Sequence, residues 1–134
     1  MYQAPSTSPA LLTKALLRAA DQLDLAADLS PLLQMPEAEA AQLQAGSRLL
    51  DPDKAEWASA LKIVGLFRTM IELLGTVERA KAWLGTPNET LGARPIELLR
   101  TPDAELVYRY LGAVRKHELR MPPAWRRPHR DELQ

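Results

Sequence analysis

Apolar residues recur at helical spacing in the first third of the chain and predict three short helices. Ser8, followed by a proline, is a capping signal for a helix that runs to about Leu23. A second, shorter helix is predicted around Leu32. A third should open at Pro36 and end by Gly46, because glycine is the residue favoured just past a helix end.

The longest predicted helix occupies the middle of the chain. Asp51, followed by a proline, repeats the capping signal, and the helix should run from about Asp53 to Leu74, closed by Gly75. Its apolar residues fall into two stripes, so we expect this helix to be covered on more than one side. One stripe holds Trp57, Leu61, Val64 and Ile71, and the other holds Ala60, Ile63, Phe67, Met70 and Leu74.

Two further helices are predicted towards the C-terminus. Thr76 is a capping residue for a helix that ends at Leu84. Thr101 and the proline after it give the same signal for a last helix. Its buried face is predicted to hold Leu106, Val107, Tyr110, Leu111 and Val114. The periodicity stops after His117, and no segment of the chain predicts a strand.

Composition supports an all-α fold. Hydrophobic residues make up 46% of the chain, but there is one Phe and there are three Tyr, which favours helices over strands. Seventeen basic residues balance seventeen acidic ones, so no global field draws the molecule to nucleic acid or to an anionic membrane. No apolar run reaches the roughly 18 residues of a membrane span, and the absence of cysteine excludes disulfides. We expect a cytoplasmic protein.

Irregular features cluster between Ala80 and Leu111. Gly85 stops a short apolar helix, and Asn88 follows a proline in a turn that its own side chain can stabilise. The chain must bend again at Arg94, because Pro95 pushes the residue before it towards extended geometry. Simple helix packing does not require two such bends, so the segment is predicted to be a recognition module.

This segment resembles the C-terminal toxin-binding domain of the Xre/MbcA/ParS family of bacterial antitoxins. The family pattern runs Ala-x-x-Trp-Leu, Pro-Asn, Leu-Gly and Pro, followed by an apolar turn and a final helix. The resemblance is strong from about Val77 to Val114. The matching residues are Ala80, Trp83, Leu84, Pro87, Asn88, Leu91, Gly92, Pro95, Leu98 and Leu99. The predicted structural anchors of the motif among them are Trp83, Leu84, Pro87, Leu91, Gly92, Pro95 and Leu99.

The resemblance implies a partner, an organisation and a mode of action. The partner would be a toxin of RES type, or one like an ADP-ribosyltransferase, that consumes NAD or transfers ADP-ribose. Inhibition would be steric, by occlusion of the NAD pocket. The chain would form a homodimer and repress its own promoter by binding operator DNA. The implied parts are a loose N-terminus (1–7), a helix-turn-helix-like bundle with a long linking helix (8–75), the toxin-binding domain (76–118) and a basic flexible tail (119–134).

Exposed polar residues around the anchors are the predicted contacts to the toxin. They flank buried positions and are carried on turns or on the last helix, where rigid backbone can present them to a partner protein. For any single one of them, a solvated surface position is the more natural interpretation. The predicted toxin-binding residues are Asn88, Glu89, Arg94, Glu97, Arg100, Tyr108 and Arg109.

The predicted helices on either side of Gln34 could form a helix-turn-helix, with the helix after Pro36 entering the major groove of DNA. That helix carries Glu37 and Glu39 but no lysine or arginine, so phosphates would repel it. A structural bundle and a DNA-binding domain both remain open at this stage. The alternative function is a transcriptional regulator with a C-terminal protein-docking domain. The predicted DNA contacts are Gln42, Gln44 and Arg48.

The last residues combine Trp125 with several arginines, a composition that can bind phosphate, carboxylate or a nucleic acid strand. We expect this tail to be disordered when free and well placed to obstruct substrate entry to the toxin. Catalysis has almost no support. There is no cysteine, His117 and His129 are isolated, and neither a metal site nor a cofactor is predicted.

Overall fold

The computed structural model describes residues 8–126, and the predicted loose N-terminus and the last part of the predicted tail lie outside them. The chain divides between Gly65 and Leu66 into two compact units, called here the N-terminal and the C-terminal unit. The described residues contain no strand, which confirms the all-α prediction. The helices are α1 (Pro9–Gln22), α2 (Leu29–Leu33), α3 (Glu37–Ala45), α4 (Ala55–Leu74), α5 (Val77–Leu84), α6 (Pro95–Leu99) and α7 (Ala104–Arg115), with 3-10 turns at Ala26–Asp28 and Pro123–Trp125.

Local chemistry sets the start of α1 and the end of α2. The hydroxyl of Ser8 accepts a hydrogen bond from the backbone N–H of Leu11 at 3.0 Å and so caps α1. Pro31 is the third residue of α2, where its missing N–H is tolerated. Gln34 ends α2 in the left-handed conformation, with φ of 55°, and gives a tight turn into α3.

The core of the N-terminal unit is built almost wholly from leucines and small residues. Leu16, Leu25, Leu43 and Ile63 are among the side chains that are fully buried there. Two polar side chains, Thr13 and Glu56, are buried with them. The buried hydroxyl of Thr13 accepts a hydrogen bond from the backbone N–H of Leu50 at 2.9 Å and thereby fixes the segment between α3 and α4 against α1.

Two helices begin later than their capping signals predict. The carboxylate of Asp51 accepts from the N–H of Asp53, which closes a turn, and α4 begins only at Ala55. In the same way, the hydroxyl of Thr101 accepts from the N–H of Asp103, and α7 begins at Ala104. These side chains stabilise the turn before the helix instead of its first helical residues.

Helix α4 is covered mainly along one of its two stripes. In the second stripe Ala60, Ile63, Met70 and Leu74 are buried, and Phe67 is half-buried. The first stripe is partly covered, since Leu61 is 45% exposed and its three other members are of intermediate exposure. The two sides of the helix are therefore covered to different degrees.

None of the described helices combines the length and the apolarity that crossing a lipid bilayer would require.

Candidate functional site

A closed loop between α5 and α6 forms the centre of the candidate site. The backbone N–H of Asn88 donates to the carbonyl of Ala93 at 3.0 Å, and the N–H of Gly92 donates back to the carbonyl of Asn88 at 2.8 Å. The side-chain oxygen of Asn88 also accepts from the N–H of Leu91 at 3.0 Å. Asn88 therefore holds the loop with both its backbone and its side chain, so its first role is structural.

Gly92 allows this loop to close. Its φ of 76° lies in the left-handed region, which glycine adopts without the steric cost that a Cβ brings. No atom lies within 4 Å of the position that a Cβ would occupy, so the requirement for glycine comes from the backbone alone.

The second bend follows directly and starts α6. Arg94 has extended backbone, with φ of −71° and ψ of 132°, as expected for a residue before proline. Pro95 is the first residue of α6, where no N–H is needed, and its ring is buried together with Leu99. The five-residue helix thus buries one side and leaves its one charged residue, Glu97, exposed.

A buried framework supports both bends. Trp83 is only 2% exposed, and its ring stacks on that of Tyr110 with centroids 5.8 Å apart and planes inclined by 22°. Leu84, the next residue in the chain, is also buried. Not every predicted anchor is buried. Pro87 and Gly92 are exposed and Leu91 is half-buried, so these three shape the loop without filling the core.

The predicted contact residues of the C-terminal unit fall into two groups. Tyr108 and Asn88 are half-buried, and burial raises the pKa of the Tyr108 phenol to about 12, with a smaller contribution from the charge of Glu105. Tyr108 can therefore offer only a neutral hydroxyl at physiological pH. The exposed group consists of Glu89, Arg94, Glu97, Arg100 and Arg109.

A packed segment after α7 is a feature that the sequence interpretation missed. Met121 is 3% exposed, although it belongs to the predicted flexible tail. Arg79 holds the same segment, since its Nη2 donates to the carbonyl of Trp125 at 2.8 Å while its Nε donates to the carbonyl of Leu74 at 2.7 Å. Residues 119–126 are consequently part of the folded C-terminal unit, in contrast to the expected disorder. The remainder of the predicted tail lies outside the described residues.

Two of the three predicted DNA contacts, Arg48 and Gln44, bond to other residues of the N-terminal unit. Both terminal nitrogens of Arg48 donate to the carboxylate of Glu56 at 2.9 Å, and Glu39 lies 3.6 Å from the same guanidinium. The side-chain amide of Gln44 donates to the carbonyl of Ala26. The side chain of Gln42 is exposed. Arg48, the arginine predicted to contact DNA, is thus surrounded by carboxylates.

A buried framework of aromatic and leucine side chains holds charged side chains on short, hydrogen-bonded turns, an arrangement that can present these charges to a partner protein. Within residues 8–126, no cluster of His, Asp or Glu could hold a metal ion. Residues 71–116 match the family model of the antitoxin Xre/MbcA/ParS C-terminal toxin-binding domain. The C-terminal unit therefore carries a toxin-binding domain of this antitoxin family, which confirms the resemblance seen between Val77 and Val114. No curated protein matches the chain significantly.

Proposed function

We propose that this chain is the antitoxin of a toxin–antitoxin pair and that it sterically inhibits an NAD-consuming or ADP-ribosylating toxin of RES type in the cytoplasm. The observation that carries the proposal is the coincidence of the toxin-binding family match, residues 71–116, with the twice-bent docking module. We propose that the antitoxin acts by binding a partner protein, and we propose no catalytic activity for it.

A rigid docking face suits inhibition by obstruction. The loop of residues 88–93 is closed by three hydrogen bonds, and the bends on either side of it rest on buried Trp83, Pro95 and Leu99. A surface ordered before binding does not lose further conformational entropy when the complex forms. Exposed Glu89, Arg94 and Glu97 can then give the complex its orientation and partner specificity.

The test is to co-express the chain with the product of the neighbouring reading frame and to purify the complex. The purified toxin should hydrolyse NAD, and the chain should abolish this activity when it is added at a stoichiometric ratio. If the neighbouring product neither binds the chain nor consumes NAD, the proposal is overturned.

The alternative is a DNA-binding regulator that docks another protein through its C-terminal unit. The tight left-handed turn at Gln34 between α2 and α3 favours it, whereas Glu37 and Glu39 in the first turn of α3 oppose phosphate binding. Operator binding, autorepression and a homodimer thus form a second and separate proposal. An electrophoretic shift with the upstream promoter at low salt tests it, and absence of a shift removes it.

A further inference from the structure

The C-terminal unit contains a groove, and only some of the residues that line it are among the predicted toxin contacts. One wall is the turn of residues 86–90, and the other is the packed segment that carries Arg120, Trp125 and Arg126. Trp83 and Tyr110 contribute to the lining between the walls. The cavity has a volume of about 420 Å³, which is room for two or three side chains of a partner.

The wall at residues 120–126 is fixed before any partner binds. Met121 anchors it in the core, and the Nε of Arg126 donates to the carbonyl of Met121 at 2.9 Å. Arg79 holds the far end through the carbonyl of Trp125 at 2.8 Å. Since the cationic side chains stand on an ordered backbone, little further ordering is needed when they meet a ligand.

The two walls of the groove carry charges of opposite sign. Arg120 and Arg126 lie on one wall and Glu89 on the other. Within residues 8–126, neither the guanidinium of Arg120 nor the terminal nitrogens of Arg126 have an ion-pair or hydrogen-bonding partner. Each guanidinium presents a planar fork of N–H donors that matches a carboxylate. The aromatic residues of the lining suit an apolar side chain next to that carboxylate.

We propose that this groove binds an extended segment of the toxin, with an aspartate or glutamate of that segment against Arg120 and Arg126. The inference rests on the proposed function. A nucleotide is the weaker fit, because the carboxylate of Glu89 would repel a diphosphate but can accept an N–H from a peptide. The groove thus extends the docking surface from the loop of residues 88–93 to the segment after α7.

The experiment uses the full chain and the co-purified toxin. The double variant Arg120→Glu/Arg126→Glu should bind the toxin at least about tenfold more weakly, since it replaces attraction by repulsion at one carboxylate. Lys14→Glu/Arg18→Glu is the matched control, because it reverses the same number of charges at exposed residues of α1 that do not line the groove. It should bind as the wild type does. Unchanged circular dichroism and melting temperature establish that the double variant is folded.

A photo-crosslinking residue in place of exposed Pro87, which lines the groove, identifies the segment. Mass spectrometry should find a toxin peptide with an acidic residue, and changing that residue to arginine should restore binding to the double variant. A crosslinked peptide without an acidic residue would overturn the inference. So would binding of ADP-ribose to the chain alone that the double variant abolishes.

The two proposals fail in different ways. If the wild-type chain binds no toxin, both are overturned. If the wild-type chain and the folded double variant bind the toxin equally well, the groove is excluded as a contact while the antitoxin function stands.

Discussion

The ring of Trp83 on α5 stacks on the ring of Tyr110 on α7, with centroids 5.8 Å apart. The two helices are joined through the twice-bent segment that includes α6. The stack therefore ties together the beginning and the end of the docking module, and both rings are almost fully buried. Losing it should loosen the segment between them.

Trp83→Ala should destabilise the protein by about 3–5 kcal/mol, because it removes a buried indole and leaves a cavity beside Tyr110. Urea denaturation followed by circular dichroism measures the loss. Trp57, which is half-buried on α4, is the matched control, and its replacement by alanine should cost roughly half as much or less. Equal losses at the two positions would contradict the anchoring role of Trp83.

Alanine at two glycines of the C-terminal unit should have opposite effects. Gly92→Ala should destabilise by about 1–2 kcal/mol, because φ of 76° forces a Cβ into the left-handed region. Gly112→Ala should stabilise by about 0.4–1 kcal/mol, since this glycine lies inside α7 with no atom within 4 Å of the added Cβ. Thermal melting of both variants checks the signs. A stabilised Gly92→Ala variant would refute the account of the loop.

Asn88→Ala should cost about 1 kcal/mol, since it removes the acceptor for the N–H of Leu91. Asn88→Asp keeps an oxygen at that position and should recover most of the stability. Comparing the toxin affinity of the two variants separates the structural role from direct contact. Should the aspartate variant be as unstable as the alanine variant, the side-chain oxygen is not what holds the loop.

Arg48→Met should destabilise the N-terminal unit by about 3 kcal/mol at pH 7, because it leaves the carboxylate of Glu56 buried without its partner. The two side chains are 15% and 5% exposed, respectively. Glu56→Gln keeps a group of the same size and serves as the matched variant. Urea titrations at several pH values measure the difference from wild type.

The pH dependence of this pair has a definite sign. The hydrogen bonds from Arg48 lower the pKa of the Glu56 carboxyl in the folded protein, with a further contribution from the N–H of Asp51. The stabilisation is thus complete above the ordinary glutamate pKa of about 4.3 and is lost as the pH falls through the lowered folded value. The penalty of Arg48→Met should shrink over that acidic range. A penalty that stays constant down to pH 3 would contradict this assignment.

Local chemistry explains which parts of the fold could be predicted from the sequence. Ser8 and Thr76 cap α1 and α5 as expected, and Gly46 ends α3 in the left-handed conformation. At Asp51 and Thr101 the sequence predicts the position of the signal but not its effect. The same side-chain oxygen can close a turn or cap a helix. Only the surrounding structure selects between the two.

Long-range pairings explain what could not be predicted. Arg79 bonds to backbone carbonyls that lie 46 residues away, and such acceptors leave no pattern in a sequence. Met121 is a single apolar residue without a helical period, so nothing marked it as buried. The sequence predicts Arg48 as a DNA contact and gives no sign of its ion pair, because its partner Glu56 lies across a turn and not on the same helix.

The central claim is that exposed charges on the twice-bent module bind a toxin. The most direct test measures the dissociation constant of the toxin complex for Arg94→Glu/Arg100→Glu, a variant of the α6 flanks whose core positions are untouched. We expect a folded protein whose affinity is at least about tenfold lower and which no longer suppresses NAD hydrolysis at equimolar ratio. A folded variant with wild-type affinity and full inhibition would contradict the claim.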